Sequence, residues 1–241
     1  MCRHVAYLGP TVGVDDLLFA APHSLARQAE VPRHQTSGTT NPDGWGVAWY
    51  DETSTSPHRY RTVTPIWDDD AFASRAPAVR SGAFLAAARL ASPGATLVDT
   101  GNAPFVDGPW AFSLNGIVHG FQDHVGAALR ERIEPARRDA IVSDADTEVL
   151  FALVLQHLAD GMSPSDALVT VVHDVLAVTT GRLNLLLTDG AAVHATRVGN
   201  SLFRRGSVIA SEPTDDDAGW YEIPDHSVTV LTPDRVTDTP L

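Results

Sequence analysis

The chain has 241 residues, a formal net charge of −13 and an apolar fraction of 44%. This length and apolar content suit one large domain with a sizeable core, so we predict a single domain over residues 1–241. An acidic surface repels phosphate backbones and anionic membranes, so we expect neither a nucleic acid nor a membrane as partner.

The residue types exclude several classes of enzyme and of metal site. All 17 basic residues are arginine, which excludes lysine Schiff-base and pyridoxal enzymes and the phosphate-binding loop that needs a lysine. The single cysteine excludes an intrachain disulfide and a cysteine-based zinc cluster. Because we find neither a signal-peptide pattern nor an apolar run that could cross a bilayer, we expect a soluble protein of the cytoplasm.

Hydrophobic periodicity and turn residues predict the elements of the first half of the chain. In chain order, they are a strand at 2–8 that ends at a Gly9–Pro10 turn, a helix at 14–28, a loop at 37–43, a strand at 44–50 with a hairpin partner at 58–64, a helix at 69–79, and buried strands at 83–90 and 110–114.

The second half begins with two predicted helices. The first spans 144–158, with Ser143 or Asp144 as its cap, and the second starts at a Ser163 cap followed by Pro164. The remaining elements are strands at 183–187, 192–198, 208–211 and 227–231. This order of strands, helix pair and strands favours two stacked sheets flanked by helices.

Cys2 is the first candidate catalytic residue. Methionine aminopeptidases remove Met1 when the second residue is small, and the new chain would carry a thiol and a free α-amine on one residue. An α-amine has a pKa of about 7.7–8.0, so it can act as a base near neutral pH. A small buried residue in a first strand explains the same position equally well.

Three further segments each allow a structural and a functional interpretation. Gly44 and Trp45 follow a tight turn, where glycine permits unusual backbone conformations, or they form part of a substrate pocket. Arg89 leaves an apolar strand as a surface charge, or it clamps a carboxylate. Asn115 and Gly116 form an ordinary turn, or the Asn115 amide and the Gly116 N–H form an oxyanion hole.

Acidic residues and histidines allow similar alternatives. Asp146 lies in the first turn of a helix, where acidic residues are favoured, or it receives a substrate ammonium. The acidic run that begins at Asp215 is a solvated loop, or it helps to receive a cationic substrate. The ten histidines show no zinc-binding spacing, so we predict no metal site.

The order of these motifs resembles that of class-II glutamine amidotransferase domains. The resemblance implies an α+β N-terminal-nucleophile hydrolase fold, in which two mainly antiparallel sheets form a four-layer αββα sandwich. It also implies that Cys2 is the nucleophile, that Asn115 and Gly116 stabilise the oxyanion, and that Arg89 and Asp146 hold the glutamyl group. No metal or organic cofactor is implied.

A second resemblance covers nearly the whole chain. The segments at 1–4, 41–46, 104–110, 181–185 and 211–220 are similar to those of the γ-glutamyl-hercynylcysteine sulfoxide amidohydrolases of ergothioneine biosynthesis. This implies a small γ-glutamyl substrate with a trimethylammonium group, which Asp215, Trp45 or Trp220 could hold through charge or cation–π contact. That family often has histidine where this chain has Leu114.

Two alternative functions stay open. A glutaminase subunit that supplies ammonia to a separate synthetase would use the same glutamyl-binding residues. A catalytically silent binding protein would keep the fold, and retention of Met1 would favour it because the Cys2 nitrogen would then be a peptide nitrogen. An assembly of identical chains is also left open.

Overall fold

The computed structural model describes residues 2–36, 38–51, 53–92 and 94–241. Met1, whose removal is predicted above, lies outside these residues, as does Ser37 of the predicted loop. Within the described ranges, the strands form one sheet of seven and one sheet of six. All the strand pairings described are antiparallel.

The strands in chain order are β1 (Arg3–Gly13), β2 (Trp45–Tyr50), β3 (His58–Thr62), β4 (Arg80–Ala88), β5 (Phe105–Asp107), β6 (Trp110–Val118), β7 (Gly181–Thr188), β8 (Val193–Arg197), β9 (Phe203–Arg205), β10 (Val208–Ala210), β11 (Tyr221–Glu222), β12 (Ser227–Leu231) and β13 (Val236–Pro240). The α-helices are α1 (Leu25–Glu30), α2 (Asp70–Ala73), α3 (Gly126–Glu131), α4 (Pro135–Arg138), α5 (Asp146–Ala159) and α6 (Pro164–Leu176). The strand order is β11-β9-β10-β1-β4-β2-β3 in the first sheet and β13-β12-β8-β7-β6-β5 in the second.

Three apolar clusters show that the molecule has four layers. Small side chains such as Ala6 and Ala195 fill the space between the two sheets. The outer face of the second sheet packs on α5 and α6, where Phe112 stacks on Phe151. The outer face of the first sheet packs on α1, α2 and neighbouring turns. Alternation of side chains along each strand gives every sheet two apolar faces, and helices cover the outer ones.

The predicted helix pair is present, with one difference at a cap. The Ser163 hydroxyl accepts from the Asp166 N–H, and Pro164 occupies the first turn of α6, as predicted. Helix α5 begins at Asp146 without a side-chain cap. The predicted cap at Ser143 or Asp144 is wrong, because the Asp144 carboxylate accepts from Thr96 instead.

The predicted helix at 14–28 is wrong as a single element. A π-helical turn at Asp16–Ala20 ends at Ala21, and α1 starts only at Leu25. Ala21 is extended, with φ −59° and ψ 146°, because the ring of Pro22 disfavours a helical conformation in the preceding residue. Two short helical segments therefore replace one long helix.

The predicted helix at 69–79 is also interrupted. The Asp69 carboxylate caps α2, which ends at Ala73, and a separate 3-10 turn spans Ala76–Ala78. Pro77 lies inside that turn, has no N–H to donate to a preceding carbonyl, and restricts the residue before it.

Two predicted turns lie within strands. Strand β1 continues through Gly9–Pro10. Its register against β4 shifts between Leu8 and Val12, so these two residues form a bulge within the strand. Asn115–Gly116 does not end β6, because β7 pairs alongside as far as Val118. A Cβ at Gly116 would lie 1.8 Å from the Arg182 carbonyl oxygen, so only glycine fits there.

No helix in the described part of the chain is long and apolar enough to cross a membrane.

Leu168 and Leu176 lie on the same helix and provide a matched test of the helical layer. Leu168 is fully buried, whereas Leu176 is 38% exposed. We expect Leu168→Ala to lower the free energy of unfolding by about 2–5 kcal/mol, because it removes buried contacts and leaves a cavity. Leu176→Ala should cost less than about 1 kcal/mol. Equal losses in urea denaturation would contradict this packing of α6.

Candidate active site

One small cavity lies where the two sheets and α5 meet. Its volume is about 30 Å³. Four of the residues predicted from the sequence line it, namely Cys2, Arg89, Gly116 and Asp146. They come from the start of β1, the end of β4, β6 and the start of α5. The fold therefore brings together a thiol, a guanidinium, a backbone amide and a carboxylate from distant parts of the chain.

Strand pairing holds Cys2 at this cavity. Cys2 directly precedes β1, and the next residue, Arg3, pairs with Ala88 at the end of β4. The Cys2 side chain is half-buried, and its Sγ lies 4.0 Å from the Leu90 carbonyl oxygen. The nucleophile candidate therefore faces the segment that leaves β4.

A backbone bridge to Gly44 positions Arg89. The Arg89 N–H donates to the Gly44 carbonyl at 2.8 Å, and the Asp43 N–H donates to the Arg89 carbonyl at 3.0 Å. Gly44 has φ +109°, and a Cβ there would lie 2.3 Å from the Thr62 carbonyl oxygen. Gly44 therefore supports the position of Arg89 through its backbone and is absent from the cavity lining.

The Arg89 guanidinium is almost wholly withdrawn from solvent. The residue is 8% exposed, and its Nη1 donates a long hydrogen bond of 3.4 Å to the Thr96 carbonyl. Its guanidinium also packs against Gly101, where an added Cβ would lie 2.9 Å from Nη1. Most of its donors are therefore available to an anion that enters the cavity.

The register of β6 and β7 determines where the Gly116 N–H points. Gly116 is opposite Leu183, whose N–H donates to Val198 and whose carbonyl accepts from Thr196, both on the far side of β7. Gly116 and Leu183 are therefore a non-hydrogen-bonded pair, and the Gly116 N–H points away from β7. On that side β5 pairs only as far as Phe112, so no strand in the described ranges accepts a hydrogen bond from this N–H.

Asp146 lies along the same free edge of β6. Its Oδ2 accepts from the Val118 N–H at 3.3 Å, and its Oδ1 accepts from the Thr147 N–H at 2.8 Å. Burial raises the pKa of Asp146 above the ordinary value for an aspartate, although these hydrogen bonds and the charge of Arg89 oppose the rise. A cationic group in the cavity would favour the ionised carboxylate.

Asn115 is adjacent to the cavity but not among its lining residues. Its Nδ2 donates to the Ser211 hydroxyl at 3.0 Å, and the Asn200 amide donates to both Asn115 oxygens. Side chains alternate along β6, so Asn115 faces the other sheet while Leu114 and Gly116 line the cavity. The fixed amide has one N–H beyond the bond to Ser211.

A buried ion pair that the sequence analysis did not identify supports Cys2. Glu212 is 1% exposed and accepts from the Arg3 Nη1 at 2.8 Å and from the N–H groups of Arg33 and His34 at 2.8 and 3.0 Å. The Arg3 Nε donates to the Cys2 carbonyl at 2.8 Å. In the sequence, Glu212 lies within the 211–220 segment that carries the second resemblance, but that resemblance gave Glu212 no role.

His4 belongs to the same buried region. Its Nδ1 lies 3.0 Å from the Ser113 hydroxyl, and burial and the nearby Arg3 charge lower its pKa to about 3. The imidazole is therefore neutral at physiological pH, which suits a structural role.

Trp45 lies in the core on the outer face of the first sheet. It is 0% exposed, its Nε1 donates to Asp69 at 3.1 Å, and Phe72 packs edge-on against it. An indole that is enclosed in this way has no face open to a substrate. Trp45 is therefore outside the site proposed below, contrary to the sequence-based expectation.

Trp220 and Asp215 are partners of each other and of Arg205. The Asp215 carboxylate accepts from the Trp220 Nε1 at 3.1 Å and from two Arg205 nitrogens, while the Arg205 guanidinium lies 4.8 Å from the Trp220 ring. Neither residue lines the cavity. In the described part of the chain, no cluster of three or more His, Cys, Asp or Glu side chains could hold a metal ion.

Several known proteins are similar to this chain in sequence or in structure. A γ-glutamyl-hercynylcysteine sulfoxide hydrolase of Mycobacterium tuberculosis is 37% identical over 100% of this chain and 97% of its own length, and one from Mycolicibacterium smegmatis is 37% identical over 100% of both. A glutamine aminotransferase class-II domain protein from Silicibacter pomeroyi has a TM-score of 0.70 and 25% identity over 99% of each chain.

The fold and the family are both established. The glutamine phosphoribosylpyrophosphate amidotransferase of B. subtilis has a TM-score of 0.67 and 13% identity over 100% of this chain and 49% of its own, which confirms the predicted N-terminal-nucleophile hydrolase fold. The family of class-II glutamine amidotransferases matches residues 30–204. The chain therefore belongs to the class-II glutamine amidotransferase family.

Proposed function

We propose that this chain is an amidohydrolase that removes glutamate from γ-glutamyl-hercynylcysteine sulfoxide in ergothioneine biosynthesis, with Cys2 as its N-terminal nucleophile. The observation that carries the chemistry is the convergence of Cys2, Arg89, Gly116 and Asp146 on one cavity. The choice of substrate is supported by relatives of that name that align with the whole chain.

The first step uses the two groups of the terminal residue. Removal of Met1 exposes the α-amine of Cys2, which takes the thiol proton as the thiolate attacks the γ-glutamyl carbonyl carbon. The carbonyl π bond opens, and the electron pair moves to the oxygen. The half-buried position of Cys2 leaves its Sγ accessible from the cavity.

The developing oxyanion needs donors that are already in place. The Gly116 N–H is directed to the free edge of β6, and the remaining N–H of the Asn115 amide is the second proposed donor. One such donor contributes about 2.7–4 kcal/mol to stabilising the transition state. The hydrogen bond that Asn115 donates to Ser211 and those that it accepts from Asn200 hold its amide in place, so little reorganisation is needed.

Arg89 and Asp146 are suited to the two charged groups of the glutamyl α-carbon. The Arg89 guanidinium binds the carboxylate, and the Asp146 carboxylate binds the ammonium. Both lie in a cavity with little room for water, where charge-assisted hydrogen bonds are stronger than in solvent. These contacts select a γ-glutamyl group over other acyl groups.

The second step restores the enzyme. The tetrahedral intermediate collapses, the C–N bond breaks, and the protonated α-amine donates its proton to the departing nitrogen of hercynylcysteine sulfoxide. Water then hydrolyses the thioester and releases glutamate. Acid–base chemistry at Cys2 accounts for every proton, so the proposed reaction needs no metal and no organic cofactor.

Other parts of the proposal concern the protein as a whole. We also propose a single domain over residues 1–241 and a location in the cytoplasm, since a lone thiol is compatible with a reducing compartment. A role for Asp215 and Trp220 in holding the trimethylammonium group stays a prediction.

Glutamate release from two substrates tests the proposed function. Protein from which Met1 has been removed, checked by intact mass, should release glutamate faster from γ-glutamyl-hercynylcysteine sulfoxide than from glutamine. Cys2→Ala should reduce both rates to background, because it removes the nucleophile. Faster release from glutamine would favour the ammonia-supplying alternative, and full activity of Cys2→Ala would refute the mechanism.

The raised pKa of Asp146 predicts an acid limb in the pH profile. The carboxylate must be ionised to bind the substrate ammonium, so kcat/KM should fall as pH drops through a value above that of an ordinary aspartate. Asp146→Asn should raise KM about tenfold or more and remove this limb. An Asp146→Asn profile with an unchanged acid limb would exclude Asp146 as its source.

Glu212 should affect turnover more than substrate binding. Glu212→Gln weakens the hydrogen bond from Arg3 and so the placement of Arg3 against the Cys2 carbonyl, while Arg89 and Asp146 are unchanged. We therefore expect kcat to fall roughly tenfold with little change in KM. Glu222→Gln is the control, because it breaks a surface ion pair with Arg197. A selective rise in KM for Glu212→Gln would argue against a positioning role.

A further inference from the structure

The segment at 181–185 carries part of the resemblance to the hydrolase family, yet the mechanism above uses none of its side chains. Asn184 lies within this segment and is fully buried. It is on β7, directly opposite Asn115 of β6, so the two side chains point to the same face of the sheet. A buried amide in this place needs hydrogen-bond partners, and their identity connects the segment to the proposed oxyanion donor.

Asn184 binds the turn that follows β8. Its Oδ1 accepts from the Val198 N–H at 2.9 Å, and its Nδ2 donates to the Asn200 and Ser201 carbonyls at 3.2 and 3.1 Å. The Arg197 Nε donates to the Asn200 carbonyl at 2.9 Å. The backbone at Asn200 is therefore held against β7 by two side chains.

The chemistry of its partners determines the orientation of the Asn200 amide. Asn200 is 2% exposed, and its Nδ2 lies 3.0 Å from the backbone carbonyl oxygen of Asn115. A carbonyl oxygen can only accept a hydrogen bond, so the nitrogen of the Asn200 amide must face it and the oxygen must not. The position of a donor next to Asn115 is therefore settled by a backbone atom.

The same nitrogen selects the orientation of the Asn115 side chain, because it lies 3.3 Å from the Asn115 Oδ1. At the other end of the Asn115 amide, the Ser211 hydroxyl accepts from the Asn115 Nδ2 and from the His4 N–H, each at 3.0 Å. A hydroxyl can donate as well as accept, so Ser211 alone would tolerate either orientation of the amide. Asn200 is therefore the neighbour that distinguishes the two orientations.

The orientation of the Asn115 amide decides its effect on a developing oxyanion. With Nδ2 beside Ser211, the remaining N–H of Asn115 is available to the oxyanion. The reversed amide would present its carbonyl oxygen there, and the partial negative charge of that atom would repel an oxyanion. A donor of this kind contributes to catalysis when it is aimed in advance at the place where the charge develops.

We propose that Asn200 is a positioning residue of the amidohydrolase, whose side-chain nitrogen holds the Asn115 amide with its N–H groups towards Ser211 and the reacting carbonyl. Asn184 acts one step further away, because it holds the turn that carries Asn200. The role of Asn200 rests on the proposed function, in which Asn115 is an oxyanion donor.

A double-mutant cycle on glutamate release tests this role. Asn200→Ala should lower kcat about tenfold with little change in KM, because the oxyanion exists only after the substrate has bound. In the Asn115→Ala background, the same substitution should change kcat by less than about twofold, since the amide that Asn200 orients is gone. Equal losses in the two backgrounds would show a general structural role and overturn the proposal.

Ser201→Ala is the matched control for the turn. The Ser201 hydroxyl donates to the Ser211 carbonyl at 2.8 Å, and among the described residues it forms no hydrogen bond with Asn115. We expect kcat of Ser201→Ala to stay within about twofold of that of the unaltered protein. A loss as large as that of Asn200→Ala would assign the effect to the turn and not to the Asn200 amide. Melting temperatures check that each variant is folded in the assay.

A crystal structure at better than about 1.2 Å resolution tests the orientation in the unaltered protein, since amide hydrogens then become visible. We expect both hydrogens of the Asn115 amide on the atom next to Ser211. Hydrogens on the atom next to Asn200 would overturn the proposal.

The kinetic results separate this role from the proposed function. Glutamate release that depends on Cys2, with an unchanged kcat in Asn200→Ala, would overturn only the role of Asn200. The absence of any release that depends on Cys2 would refute the proposed function, and the role of Asn200 with it.

Discussion

The buried ion pair between Arg3 and Glu212 is the interaction on which the arrangement of the candidate active site depends. It joins residues that are 209 positions apart, and both are almost fully withdrawn from water. An ion pair in such a place gives little net stability, but removal of one partner leaves an uncompensated charge and costs about 3–5 kcal/mol. The Glu212 carboxylate also accepts from the backbone of Arg33 and His34. One acidic side chain thereby links the start of β1, the loop after α1 and the segment after β10.

Strand edges provide the second constraint. Because β5 is short, the part of β6 beyond Phe112 has no neighbouring strand on one side among the residues that the structure describes. The N–H groups on that side are free for other acceptors. Asp146 uses the donor at Val118, and the cavity lies at the donor of Gly116. A backbone N–H at the edge of a sheet can donate a hydrogen bond to an anion whatever side chain its residue carries. Only its register against β7 and the length of β5 decide that it is available.

The charge inside the candidate active site contrasts with the acidic net charge of the protein. The net charge is −13, yet the buried Arg89 lines the cavity of the candidate active site. A generally acidic surface discourages unspecific binding of anions, so a buried arginine such as Arg89 can select its ligand by geometry. The Asp99–Gly101 turn contacts two arginines, because Gly101 packs against Arg89 and the Thr100 carbonyl accepts from Arg61.

The sequence by itself determined most strands, the helix pair and the cap at Ser163, because hydrophobic periodicity and capping depend on nearby residues. It also singled out Cys2, Arg89, Gly116 and Asp146, because the resemblance to a family depends on the order of motifs along the chain. Only the tertiary structure decided whether Gly9–Pro10 was a turn or a bulge, since the neighbouring strand β4 supplies the pairing. It also enclosed Trp45 in the core and joined Arg3 to Glu212. Such contacts depend on how distant segments of the chain pack, so local sequence patterns do not predict them.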